Sequence, residues 1–145
     1  MTHTIRSNDR CFLYGDGFFS TIRVSGGVPQ LWPLHLARLQ YTARRLAIDI
    51  ADWQQIYRAL TDTIAAQKLS EAVLKIQISR GEGSRGYSPL GITATGPVIT
   101  YGTLPDYSTW RQQGVRLALA ELRLAVQPAL AGLKHCNRLE QVLLK

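Results

Sequence analysis

Long apolar runs are missing from this 145-residue chain: none reaches the roughly 18 residues that a membrane-crossing helix requires. The opening stretch from Met1 to Arg10 is polar and has no apolar core of the kind a secretory signal carries. Cysteine is scarce. Cys11 and Cys136 are the only two, and their separation fits no metal or redox motif, so reduced thiols in a cytoplasmic protein are expected. Acid is scarce as well, with 10 Asp and Glu against 17 Lys and Arg, a net charge of +7. That excess suits an anionic ligand: nucleic acid, phosphate or a carboxylate. No helix-turn-helix, finger or RNP-like aromatic motif accompanies the charge, which counts against nucleic acid. Repeats, low-complexity tracts and charge blocks are absent too. What is present, 46% hydrophobic and 19% charged residues, is enough for a packed core and excludes a disordered chain.

Tyr14-Gly15-Asp16-Gly17 is a tight turn feeding a strand, Phe18–Val24, rich in aromatic and β-branched residues. Gly26-Gly27 predicts a hairpin turn into a second strand over Val28–Trp32. Pro33 then opens a helix, where its missing N–H costs nothing. Leu36, Leu39, Ala43 and Leu46 form its buried stripe, and Arg38, Thr42 and Arg45 fall on another face, Arg45 in solvent. His35 packs rather than titrates. Asp52–Lys68 is a further helix, capped by Asp52 with Gln55 completing a capping box, and it is scaffold. Ala72–Arg80 alternates as a half-buried strand. It leads into Gly81-x-Gly83-x-x-Gly86, the letters of a dinucleotide fingerprint. Pro89 and Gly91 follow, where no helix could receive a pyrophosphate, so the stretch is a hairpin-like loop. Val98–Leu104 is another strand, Pro105–Trp110 a break, and Val115–Leu124 a strand beyond it. Leu139, Val142 and Leu143 line one stripe of a last helix that ends at Lys145 with its apolar pattern still under way.

Lys134 lies between the irregular Pro128–Gly132 segment and that helix, a junction where a side chain can be rigid yet reach a cleft. A lysine attacks only when neutral, which needs desolvation or cationic neighbours, and His135 and Arg138 are near it in sequence. The letters Gly132-Leu-Lys134-His-Cys-Asn137-Arg138-Leu-Glu140-Gln-Val142 resemble the lysine segment of fold-type IV pyridoxal-phosphate enzymes. They are most similar to the aminodeoxychorismate lyase branch. Three more motifs resemble the family in its own order: Tyr14-Gly-Asp16-Gly17, His35-Leu-Ala-Arg38-Leu39, and the Arg80–Tyr87 loop.

The resemblance implies that Lys134 forms the Schiff base with pyridoxal 5'-phosphate and that Arg38 holds the cofactor phosphate. A planar two-pronged donor suits that second task better than lysine. It makes Arg85 and Tyr87 weaker candidates for substrate contact. The implied fold is α+β, an N-terminal two-layer α/β sandwich over residues 1–104. A linker over 105–110 and the start of a second, β-rich cofactor-binding domain over 111–145 follow. The implied activity is elimination from aminodeoxychorismate, a small anionic substrate, to pyruvate and 4-aminobenzoate on the route to folate, by a homodimer. An aminotransferase of the same fold type, acting on branched-chain or D-amino acids, is the alternative. A basic nucleic-acid-binding domain is the remote one. Full-length members of the resembled family continue well beyond residue 145, and the acidic partner of the pyridine nitrogen lies in that further half. The 145-residue chain alone is therefore expected to be silent.

Overall fold

The computed structural model describes residues 4–144; Met1–His3 of the polar start and Lys145, the expected end of the last helix, lie outside the described residues. A short helix, α1 (Arg10–Tyr14), is capped by the Asp9 carboxylate, which accepts from the Phe12 N–H at 3.0 Å. It stops at Gly15, whose left-handed backbone (φ 67°) turns the chain into strand β1 (Gly17–Ser25). Gly26 and Gly27, both with positive φ, close the hairpin to β2 (Val28–Pro29).

The expected strand to Trp32 is thus cut to two residues. Pro29 cannot donate to a ladder, Leu31 turns left-handed (φ 54°), and Trp32 already begins α2 (Trp32–Arg45). Helix α3 (Trp53–Ala66) follows, and Asp52 caps it by accepting from Gln54 N–H at 2.7 Å. The Arg58 guanidinium also donates to the Asp52 carboxylate, at 2.7 Å, while no bond returns from the Gln55 side chain to Asp52 N–H, so the expected capping box is not completed among the described residues. Strands β3 (Ala72–Ser79) and β4 (Val98–Gly102) complete an antiparallel sheet in the order β2-β1-β3-β4.

Alternation decides the layering. Phe18, Ile22 and Val24 of β1 and Leu74, Ile76 and Ile78 of β3 point to one face and are buried together with Leu39, Ala43, Ile56, Leu60 and Ile64 of the helices. The result is one helix layer on one sheet face, a two-layer α/β sandwich. Phe19, Lys75 and Gln77 occupy the other face, half-buried. Thr42, expected on the outer side of α2, is in the core, its hydroxyl donating to Arg38 O at 2.8 Å. That bond satisfies the hydroxyl within the helix and leaves the methyl free to pack.

Beyond β4 the picture changes. Helix α4 (Ser108–Gln113) begins inside the stretch expected to be a linker, with Asp106 accepting from Ser108 N–H at 2.8 Å. Residues 105–129 are all exposed, and 115–124, expected to be a strand, pairs with nothing among the described residues. Val115, Leu117 and Leu119 alternate as a strand would, but a strand exists only where another edge takes its N–H and C=O groups. Helix α5 (Leu139–Leu143) is shorter than expected, and its stripe of Leu139, Val142 and Leu143 is exposed. No helix among the described residues is long and apolar enough to cross a membrane.

Candidate active site

Strand β1 carries the site on an edge that β2 leaves open. Because β2 pairs only with Val24 and Ser25, the N-terminal half of β1 has unfilled backbone groups on that side. The lysine segment fills them: Phe19 N–H donates to Lys134 O at 3.0 Å and Cys136 N–H to Gly17 O at 2.9 Å, around a Phe18–His135 bridge. Lys134 therefore sits on an extended ribbon against the sheet, five residues before α5, and not at the helix start itself. Leu133, 5% exposed, anchors the ribbon from one side. From the other, Asn137 Nδ2 donates to Gly15 O at 3.2 Å. A side chain at Gly15 would collide with that asparagine, so the turn before β1 needs glycine for space as well as for φ.

Antiparallel pairing puts the Lys134 side chain on the same face as Phe19, and its Nζ lies 4.6 Å from the centre of that ring. Two further cations share the ring, Lys75 Nζ at 4.7 Å and Arg138 Cζ at 5.6 Å. Burial first, and then the charges of Arg38, Arg138 and Lys75, hold the Lys134 ammonium below the ordinary lysine value. None of these four cations is in an ion pair with a carboxylate among the described residues.

Arg38 comes to this cluster from α2. Its Nη2 donates to Ser20 Oγ at 2.6 Å and lies 3.2 Å from His35 Nδ1, while Ser20 Oγ and His35 Nδ1 are 2.8 Å apart. Burial, then the Arg38 charge, keeps His35 below its ordinary value, so it stays neutral as a packing and hydrogen-bonding group. The remaining guanidinium donors of Arg38 have no protein partner among the described residues and are available to an anion.

Arg85 and Tyr87 are not among the contacts of Lys134. Arg85 is exposed without a bonded partner among the described residues, and Tyr87 is 82% exposed, its ring 5.3 Å from that of Tyr14. Arg10 holds their loop through Gly86 O, Tyr87 O and Ser88 O at 3.3, 2.9 and 3.3 Å. The carboxylate of Asp16 accepts from both Arg10 Nε and Arg80 Nε at 2.8 Å, fixing that loop, the start of β1 and the end of β3 together. Burial alone would raise the Asp16 carboxyl, but the hydrogen bonds and charges of Arg80 and Arg10 outweigh it and hold it below the ordinary aspartate value.

Arg45 is exposed, as expected, but not without partners. It donates to Tyr41 Oη at 2.6 Å and to Pro128 O and Ala129 O at 3.3 and 3.0 Å, tying the lead-in of the lysine segment to α2. The two cysteines, far apart in sequence, meet beside Gly17. The interaction between the two thiols lowers the Cys11 value and, with burial, pushes Cys136 up.

Residues 17–145 match the family described as amino-transferase class IV. The chain belongs to the class IV aminotransferase family. It is 44% identical over 141 residues to aminodeoxychorismate lyase of Vibrio harveyi, covering 94% of this chain and 50% of that protein. The crystal structure of 4-amino-4-deoxychorismate lyase from Pseudomonas aeruginosa superposes with a TM-score of 0.90 at 43% identity, covering 99% of this chain and 53% of that one. D-alanine aminotransferase of Bacillus licheniformis is 26% identical over 107 residues, 72% of this chain and 37% of that protein. The chain thus spans about half the length of the lyases it matches.

Three members of the cluster were not legible in the motifs that carry the family resemblance. Ser20, Phe19 and Lys75 lie inside strands whose alternation was legible, so the face of each could be assigned. That Thr21 pairs with Lys75, bringing Lys75 beside Phe19, required the β1–β3 register, which no local signal specifies.

Proposed function

We propose that the protein carrying this chain is a pyridoxal-phosphate-dependent 4-amino-4-deoxychorismate lyase, releasing 4-aminobenzoate and pyruvate. The observation that carries the reading is the Lys134 amine, backbone-fixed on β1 and surrounded by Arg38, Arg138 and Lys75 without a carboxylate. The 44% identity to a lyase supports the substrate assignment.

The donor set fits the cofactor. A phosphate suits the unfilled guanidinium donors of Arg38, whose Nη2 is braced by Ser20 and His35. An aldehyde needs an amine with a lowered proton affinity, which Lys134 has. When bound, the cofactor supplies an electron sink for the carbon next to the substrate nitrogen.

In this reading Lys134 does the proton work. Its amine takes the proton from the substrate carbon that bears nitrogen. Its ammonium then gives a proton to the departing enolpyruvyl methylene, which becomes the pyruvate methyl as the C–O bond breaks. One residue serves as base and then acid, and burial and the neighbouring cations ease the loss of its proton relative to an ordinary lysine. Arg85 and Tyr87 belong to this reading as substrate contacts, because Arg10 steadies their loop beside Tyr14. The division into 1–104, 105–110 and 111–145 also belongs to it, supported by the unbroken exposure of residues 105–129. So does a homodimer, for which the exposed stripe of α5 offers apolar surface.

The test supplies aminodeoxychorismate with no oxo-acid acceptor to the complete protein and follows pyruvate and 4-aminobenzoate. Multiple turnovers are expected. Turnover only of branched-chain or D-amino acids with an oxo acid would instead identify an aminotransferase. Borohydride reduction should place the pyridoxyl mass on the Lys134 peptide, and a label on Lys68 or Lys75 would overturn the assignment.

A further inference from the structure

Three consecutive carbonyls, those of Leu133, Lys134 and His135, are all engaged. The middle one accepts from Phe19 N–H of the sheet at 3.0 Å. The outer two accept from a single side chain, Arg138, whose Nε reaches His135 O at 2.9 Å and whose Nη2 reaches Leu133 O at 3.1 Å. The guanidinium therefore grips the backbone on both sides of Lys134 while the sheet holds the backbone of Lys134 itself. Its Cζ also stands over the Phe19 ring that carries the Lys134 amine. Two planar donors at fixed spacing are what this grip requires, and an ammonium on a flexible stem cannot reproduce them. The charge of Arg138 and its fork are thus separable features of one residue.

We propose that Arg138 is the positioning residue for Lys134, and that the fork, not the charge alone, sets where the amine lies. The inference rests on the reading of Lys134 as the reactive lysine. Without the clamp, the segment keeps its bonds to β1, the Asn137 and Arg45 ties and buried Leu133, but nothing grips the carbonyls on either side of Lys134, and the amine moves away from Arg38 and Lys75. It then behaves as an ordinary surface lysine, protonated to higher pH and slower to react near neutrality.

The test compares wild type, Arg138→Lys and Arg138→Gln in the complete protein. Lys134 acylation by acetic anhydride is measured against pH by peptide mass spectrometry, with cofactor and substrate absent. Arg138→Lys keeps the charge and loses the fork, and its Lys134 profile should move up in pH, with labelling at neutral pH about threefold or more slower. Arg138→Gln should move as far or further. Supplied with cofactor and substrate, Arg138→Lys should lose about tenfold in kcat with KM little changed, as for a misplaced reacting group. A wild-type profile in Arg138→Lys would overturn the proposal, whether Arg138→Gln shifts or not, because charge alone would then suffice. Arg138→Gln guards against a folding defect in the lysine variant, and a wild-type profile in any folded fork-less variant overturns the proposal. The labelling requires no lyase activity. A shifted profile in a protein that proves to be an aminotransferase would leave the clamp standing and remove only the substrate assignment.

Discussion

Strand β1 and the stretch 115–124 have the same kind of sequence and opposite fates. Both place apolar residues at every second position for part of their length, Ile22 and Val24 in phase with Phe18 in the one and Val115, Leu117 and Leu119 in the other. In β1 the apolar set is fully buried, with Phe18, Ile22 and Val24 at 0% exposure. In the second stretch Leu117 and Leu119 are 90% and 100% exposed. The difference lies in the neighbours. Strand β1 has β3 along one edge, β2 and the lysine ribbon along the other, and α2 across its inner face. The stretch 115–124 has no such partner among the described residues. Alternation determines which side chains can be buried together, and a partner determines whether they are.

The body and the exposed tail meet at Lys134, so the largest expected effect is there. Lys134→Ala should cut pyruvate release by the complete protein about a thousandfold or more, with the melting curve little changed. Retention of most of the turnover would remove the site from the junction.

Next comes the joint that holds the body together. Asp16→Asn leaves two guanidinium groups, both largely buried, without their shared carboxylate, and should cost about 3 kcal/mol in urea unfolding. The wild-type contribution is present at pH above the ordinary aspartate value and is lost as pH falls through the lowered folded value. Acid sensitivity in that window should therefore be weaker in the variant. An unchanged urea midpoint would mean that the network adds nothing to the body.

Arg38→Ala should weaken pyridoxal-phosphate binding by about tenfold to a hundredfold, as a lost charge-assisted bond does. It should also raise the Lys134 value, since Arg38 is one of the charges depressing it. Titration with unchanged affinity would return Arg38 to an outward face.

The smallest effect tests the tail. Leu119→Ser in the 145-residue chain should change stability by under about 0.5 kcal/mol, because its side chain touches solvent on all sides. A cost above about 1 kcal/mol in that chain would break the contrast with β1. The same change in a longer protein sharpens the contrast if it becomes costly there, for the stretch would then have a partner.

Local signals made most of the body legible. Gly26-Gly27, Pro33 and Asp52 punctuate their elements through backbone rules that act within a few residues, and the core stripes of α2 and α3 follow the helical period. Lys134 and Arg38 stood out through the motifs around them, and the fold brings them together. Thr42 was misplaced and the partners of Arg45 were not foreseen, because periodicity assigns a face and not the neighbour on it. Thr42 could close its hydroxyl on Arg38 O, and Arg45 found two carbonyls more than eighty residues away.

By itself, then, the sequence determined β1, β3, β4, α2 and α3, most of their inward faces, and a lysine in a segment that predisposes it to chemistry. Only the tertiary structure decided that this lysine lies on the free edge of β1, that Phe19 and Lys75 flank it, and that Arg138 grips the carbonyls beside it. Elements form from interactions over a few residues, which a linear pattern encodes. The environment of an amine is set by groups that strand pairing draws from the whole chain, and only that pairing fixes which groups they are.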